Sequence, residues 1–435
     1  MLRKMIAGGL GLILLLVAFG TVAPRSVVDW RSLRAVALES DDWGLAGFVP
    51  AADSWDGLDR EALQPGRFPP VYWQSTLEDA DMVRSLVDIL AAHRGQDGIA
   101  AVFQPNYVMG SLAWDSKTEN WIRYDLPNWP PQYPRPGMWE AVNHGRALGV
   151  WHPELHASLH YDPARRRADG LSTEVAKAAT ERGISLFPGS EEACELAPWR
   201  EKSLMAAELD HSLQVFEAAF GRPVYSIIAP DYTWHAAVET MWQCRGLRVI
   251  QAKREQRNPQ WFGGKAGRVQ KYLDRQWARL AHPGRVYLER NCRLEPVQAP
   301  DPEMVVDRCV ADARRAWQLG EPAIVETHRV NFSHTDPAVV ATGLAALDSF
   351  LAQICELPKG PVFLSDSEIA QLTRRGTSWR VAGETLVVRN GSHSARLVAV
   401  PLRELSALGW PEMQPLLVRL AAGEVRTIAA SELRR

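Results

Sequence analysis

"LRAVALESDDWG" (residues 33–44) decides how this chain folds, because an alternating apolar run ends here in closely spaced acids. Alternation over "LRAVALES" predicts a β-strand. Asp41 and Asp42 then fall at the strand's C-terminal end, where open α/β sheets and α/β barrels place their chemistry. Adjacent carboxylates repel, so a partly buried pair needs a cation or a proton nearby. Taken alone, these residues also fit a solvated acidic turn.

Outward from that strand the same grammar repeats. "STLEDADMVRSLVDILAAHRG" (75–95) pairs a Ser75-x-x-Glu78 capping box with an apolar stripe and predicts a helix, and "IAAVFQPN" (99–106) predicts the next strand. Helices over 202–220, 234–245, 303–319 and 337–356 alternate with strands over 224–230, 247–253, 322–328 and 361–365. Such alternation implies parallel strands, in an open sheet or a barrel, with the site in the loops at their C-terminal ends. This α/β unit is expected over 30–372. Past residue 376 the pattern turns strand-rich. "SWRVAGETLVVRNGSHSARLVAV" predicts a hairpin at Asn390-Gly391 and "PLLVRLAAGEVRTIAA" two more strands, giving a small β appendage over 376–435.

A length of 435 residues suits one large domain or a barrel with an appendage, and a net charge of −2 offers no nucleic-acid footprint. Seventeen tryptophans are many for this length, and four lie in "AWDSKTENWIRYDLPNWPPQYPRPGMW" (113–139), where prolines predict a long structured loop. Their rings suit packing and equally stacking on sugars. At the start, Arg3 and Lys4 precede an uncharged apolar run from Met5 to Ala23. That is a secretory signal, with Thr-Val-Ala (21–23) as cleavage site, or a membrane anchor; residues 1–26 are assigned to it. Either way the body is expected in the periplasm, free or held at the inner membrane. Cys194, Cys244, Cys292, Cys309 and Cys355 are scattered and make no zinc knuckle.

"WHPELHASLHYDP" (151–163) holds three of the eleven histidines. His156 and His160 stand four apart, so a helical turn there would aim both imidazoles at one metal. His152 precedes a proline, which disfavours that geometry. Two imidazoles and a carboxylate from "SDD" leave open positions on a divalent ion, the arrangement of a hydrolytic site. "PAIVETHRVNF" (322–332) reads as a strand ending at Glu326, Thr327 and His328, where a histidine suits protonation of a leaving group or a structural hydrogen bond.

In order, "ALESDDWG", "PELHASLHYD", "IIAPDYTW", "LERNCRLEP" and "IVETHRVNF" resemble the blocks of polysaccharide deacetylases of the carbohydrate esterase family four type, and more narrowly a bacterial branch of polysaccharide-deacetylase-like proteins. The resemblance spans roughly residues 35–370. It implies a distorted (β/α)7 barrel that removes N- or O-acetyl groups from an envelope or extracellular polysaccharide, using one divalent ion, zinc, cobalt or nickel. By position it implies Asp41 as general base, Asp42, His156 and His160 as metal ligands, and His328 as catalytic acid. Trp43, Asn106, Asp231 and Tyr232 are the expected substrate-binding or supporting residues. One departure stands out. The family's third block carries an arginine that orients the base, whereas here it reads Ala229-Pro230-Asp231, leaving Arg290 or Arg329 as substitutes. Two rival readings remain: a glycoside hydrolase pairing Asp41 with Asp231 or Glu326, and a non-catalytic glycan-binding protein of envelope assembly. Metal dependence separates the first, acetate release the second.

Overall fold

The structure, a computed structural model, describes residues 27–63, 69–185, 194–253, 264–282, 284–406, 408 and 414–433. The expected export segment, residues 1–26, lies outside the described residues. The predicted first strand is β1 (Ala35–Trp43), buried along nearly its whole length. Next come β2 (Phe103–Val108), a hairpin of β3 (Gly110–Asp115) and β4 (Asn120–Asp125), β5 (Glu154–Ala157), β6 (Ser226–Ile227), β7 (Val249–Lys253), β8 (Val286–Arg290), β9 (Cys292–Arg293), β10 (Ala323–His328) and β11 (Val362–Phe363).

Apart from the β3–β4 hairpin, these strands form one parallel sheet in the order β8-β7-β6-β5-β2-β1-β10-β9, with β11 added on the start of β1. Its two outer members, β8 and β9, are parted by Asn291 alone. The sheet therefore curls back on itself into a nearly closed barrel of eight strands, seven when β8 and β9 are taken as one strand broken at Asn291, as the distorted (β/α)7 architecture expects. Asn291 carries the ladder through that break: its N–H donates to Ile324 O at 3.1 Å, and its Oδ1 accepts from Ile324 N–H at 2.9 Å.

Helices cover the barrel's outside. Ala80–Ala92 shows why: Val83, Leu86, Val87 and Leu90 recur at helical spacing and are all buried against the sheet. Each such side chain contributes on the order of 1.5–3 kcal/mol, an upper bound, since the unfolded chain is already partly collapsed. This helix starts later than the spacing predicted. Asp79 caps it by accepting from the N–H groups of Asp81 and Met82, so the Ser75–Glu78 capping box does not form. Glu78 is buried instead, taken by the Gly44 N–H at 2.9 Å and by Arg329.

Two other expectations are corrected. The stretch 113–139 is not one loop, because its prolines lie after Leu126 and leave 110–125 free to pair as β3 and β4, with Trp114 opposite Trp121. Beyond the barrel lie β12 (Thr377–Ala382), β13 (Thr385–Asn390), β14 (Arg396–Val400), β15 (Leu416–Leu420) and β16 (Val425–Ala429), in sheets β12-β13-β16 and β14-β15. The β12–β13 turn falls at Gly383, where φ is +59° and an added Cβ would collide with Ala147 O. Asn390-Gly391 is not the turn. Asn390 pairs with Thr377 at the hairpin's open end, and its side chain donates to Ser394 O and Ala421 O where the chain crosses.

Candidate active site

Asp41 and Asp42 would face opposite sides of a regular strand. The pairing of β1 with β2 steps from Ser40↔Pro105 to Trp43↔Tyr107, so β1 holds one extra residue at this point. This bulge, with Asp42 in the left-handed region at φ +74°, turns both acids into the cleft at the barrel's C-terminal end. His160, Asp231 and Tyr232 share that costly backbone region. Each such residue stores about 1–3 kcal/mol, and strain of this kind gathers at functional sites.

Asp42 Oδ1 lies 3.3 Å from both His156 Nε2 and His160 Nε2, and the two rings meet edge to face with centroids 5.0 Å apart. The expected pair thus shares a site, though by another route than the predicted helical turn. His156 stands on β5, where a paired strand excludes helix, and His160 follows on a bend. The buried Glu195 carboxylate shapes that bend by accepting the N–H groups of Ser158, Leu159 and His160 at 2.8, 2.7 and 2.9 Å. His156 Nδ1 sits 3.3 Å from Ile228 O, which places a hydrogen on that nitrogen and leaves Nε2 as the atom offered to an ion. Burial works against the Asp42 carboxylate, yet the two imidazoles hold it well below the usual range. One oxygen and two nitrogens, all within 4.8 Å of one another, make a donor set that fits zinc or a similar divalent ion and leaves positions open.

Asp41 meets different company. Arg290 grips it with two parallel bonds, Nη1 to Oδ2 and Nη2 to Oδ1, each 2.7 Å, while Asn106 Nδ2 donates to Oδ1 at 2.8 Å. Burial alone would raise the Asp41 pKa; Arg290 more than offsets it and keeps the group ionised. Arg290, at the end of β8, thus stands where the resemblance expects an arginine to hold Asp41. Arg329 does not reach Asp41. It donates to Leu45 O and Gly47 O and pairs with Glu78, pinning the chain just after β1.

His328 ends β10 beside Asp41 in the ladder, its Nε2 3.8 Å from Asp41 Oδ2. Its Nδ1 bonds Glu295 at 2.5 Å, and Asn331 and Gln298 hold the other Glu295 oxygen, each at 2.7 Å. Burial favours the neutral ring, but Glu295, then Asp41 and Asp42, push the His328 pKa up to about 10. Glu326 accepts from Lys253 Nζ at 2.8 Å and Tyr232 OH at 2.9 Å. Despite burial, His328, Arg290 and Lys253 hold its pKa below the usual value. A glycosidase needs one carboxyl of its pair protonated. Asp41 and Glu326, each tied to a cation, do not provide one.

The remaining expected residues divide. Tyr232 takes a bond from Arg290 at 2.6 Å, and Asp231 stands exposed at the rim. Trp43 does not line the cleft; it is fully buried against Trp151 and Phe103, its indole N–H on Ser40 Oγ. Trp114, Trp121, Trp129 and Trp139 are half-buried, with Trp114 against Trp121 and Trp129 against Trp139. Glu295, Glu195 and Lys253 were not singled out from the sequence. Glu295 sits in the same short block as Arg290, which was its one available signal.

Neither a family model nor a curated protein matches this sequence. Among solved structures, the chain is similar to a candidate polysaccharide deacetylase from Mycobacterium smegmatis, at 13% identity and a TM-score of 0.40 over 78% of this chain and 90% of that one. It is also similar to Agd3, described as a novel carbohydrate deacetylase, at 12% identity and a TM-score of 0.41 over 91% of this chain and 64% of that one.

Proposed function

We propose that this chain is a divalent-metal-dependent deacetylase that removes N- or O-acetyl groups from an envelope or extracellular polysaccharide after export. One observation carries the reading: Asp42, His156 and His160 form an ion-ready triad immediately beside Asp41, gripped by Arg290, and His328, held by Glu295. Once bound, a divalent ion would polarise the acetyl carbonyl and acidify a water.

The chain's own residues then divide the proton transfers. Asp41, so well neutralised by Arg290, is a weak base, which suits a water that arrives already acidified. Arg290 and Asn106 hold the Asp41 carboxylate in place while it receives that proton. His328, kept charged by Glu295, donates from Nε2 to the departing amine or alcohol, and Glu295 steadies the ring through Nδ1. Tyr232 and Lys253 keep Glu326 occupied, so it does not compete for the proton.

The test is elemental analysis of purified protein beside an acetate-release screen on acetylated amino-sugar polymers. Stoichiometric zinc, cobalt or nickel with chelator-sensitive acetate release is expected. Metal-loaded protein that releases no acetate from any polymer overturns the reading. Export is tested separately with an alkaline phosphatase fusion after Ser26, expected to be active; a well-expressed but inactive fusion places the body in the cytoplasm instead.

A further inference from the structure

Arg290 places all five of its N–H donors inside the barrel. Besides its two bonds to Asp41, Nη1 reaches Tyr232 OH, Nη2 reaches Gln251 Oε1 at 3.0 Å, and Nε reaches Glu39 Oε2 at 2.6 Å. Glu39 stands two residues before Asp41 on β1, so alternation puts both on the strand's inner face. It is fully buried, and its second oxygen, Oε1, meets no donor among the described residues. What faces it is another carboxyl, that of Asp366, which accepts from Gln104, the ladder partner of Glu39. Two carboxyls can bond each other only through a proton.

The surroundings say which one holds it. Asp366 already accepts from Gln104 Nε2 at 2.9 Å and Ser226 Oγ at 2.7 Å. It is also the first residue of the helix Asp366–Arg375, whose positive end favours an anion. Among the described residues nothing comparable serves Glu39, and the one cation bonded to it, Arg290, is shared with Asp41. Burial, followed by the nearby Asp366, pushes the Glu39 pKa well above the usual carboxyl range.

We infer that Glu39 is held as a neutral carboxylic acid and is a positioning residue for Asp41: it accepts Arg290 Nε on its carbonyl oxygen, donates its proton to Asp366, and so leaves the charge of the guanidinium to Asp41. An ionised Glu39 would compete for that charge and draw the arginine down the barrel. A neutral Glu39 fixes the fork's angle without neutralising it. This arrangement lets an arginine from β8 serve a base on β1, and it rests on the deacetylase reading above.

The test uses the full-length, zinc-loaded protein and an acetylated polymer on which the wild type releases acetate. Glu39→Gln keeps an acceptor for Arg290 and a donor for Asp366, so its kcat should stay within about threefold of wild type. Glu39→Leu frees the fork and should lower kcat about 10²-fold, with KM and zinc content unchanged. Equal losses in Gln and Leu would show that Glu39 works as an anion, and full activity in Leu would show that it positions nothing; either overturns the inference. Should the Leu variant not fold, the infrared difference between wild type and Glu39→Gln above neutral pH decides: a protonated-carboxyl stretch is expected, and its absence is fatal. A wild type without acetate release would sink the deacetylase reading instead, while the infrared band would still settle the state of Glu39.

Discussion

Asp41 and Asp42 are neighbours in the chain and opposites in setting. Asp41 faces a guanidinium and an amide that satisfy both its oxygens, so the protein itself completes its charge. Asp42 faces two imidazoles, whose close nitrogens invite an ion. A single peptide step separates a group held by protein from a group arranged to hold metal. Identical side chains therefore take their roles from what the other strands bring: β8 supplies Arg290, and β5 with its bend supplies the histidines.

The sharpest way to break this contrast is Asp42→Asn, which should abolish stoichiometric metal binding, measured by elemental analysis, and activity with it. Retained metal would show that Asp42 is not a ligand. Next in size, Asp41→Asn and His328→Ala should each lower turnover by about 10²–10⁴ with metal content intact. Metal lost from either would merge the two halves of the site. Stability should separate the acids again: without metal, Asp41→Asn strands the buried Arg290 charge and should cost about 3–5 kcal/mol in denaturant unfolding, whereas Asp42→Asn should cost clearly less. Equal costs would mean that Arg290 does not depend on Asp41.

The smallest effect is one of pH. His328 acts protonated, so activity falls as pH rises through its pKa of about 10. Glu295→Gln removes the carboxylate that raises it, so the alkaline limb of kcat should move towards the ordinary value of 6.5. The same shift makes His328 stabilising in the metal-free fold below pH 6.5, a contribution lost as pH rises towards 10. An unmoved alkaline limb in the Gln variant would remove Glu295 from the account.

Much of this was legible in the chain. The runs around residues 35–40 and 322–328 became β1 and β10; the first was read from alternation, yet β1 is buried on both faces, as parallel strands are. Helices at 202–220, 303–319 and 337–356 matched closely, their caps and stripes being local. Ser75 misled because a capping pattern cannot show that a better cap, Asp79, stands one residue beyond Glu78. Asn390-Gly391 misled because its turn propensity was outweighed by long-range contacts of the Asn390 side chain.

Residue types, their order and their placement are one-dimensional facts, and they brought Asp41, Asp42, His156, His160 and His328 forward as candidates that the structure places together. Which of two arginines serves Asp41 was not such a fact. Arg290 and Arg329 both sit beside informative blocks, and the chain offers no local difference between them. The choice follows from barrel closure, which swings the end of β8 across to β1 over 249 residues of sequence and leaves Arg329 facing backbone carbonyls. The bulge at Asp42 and the proton between Glu39 and Asp366 belong to the same class, because register and burial arise only when distant strands pack and exclude water.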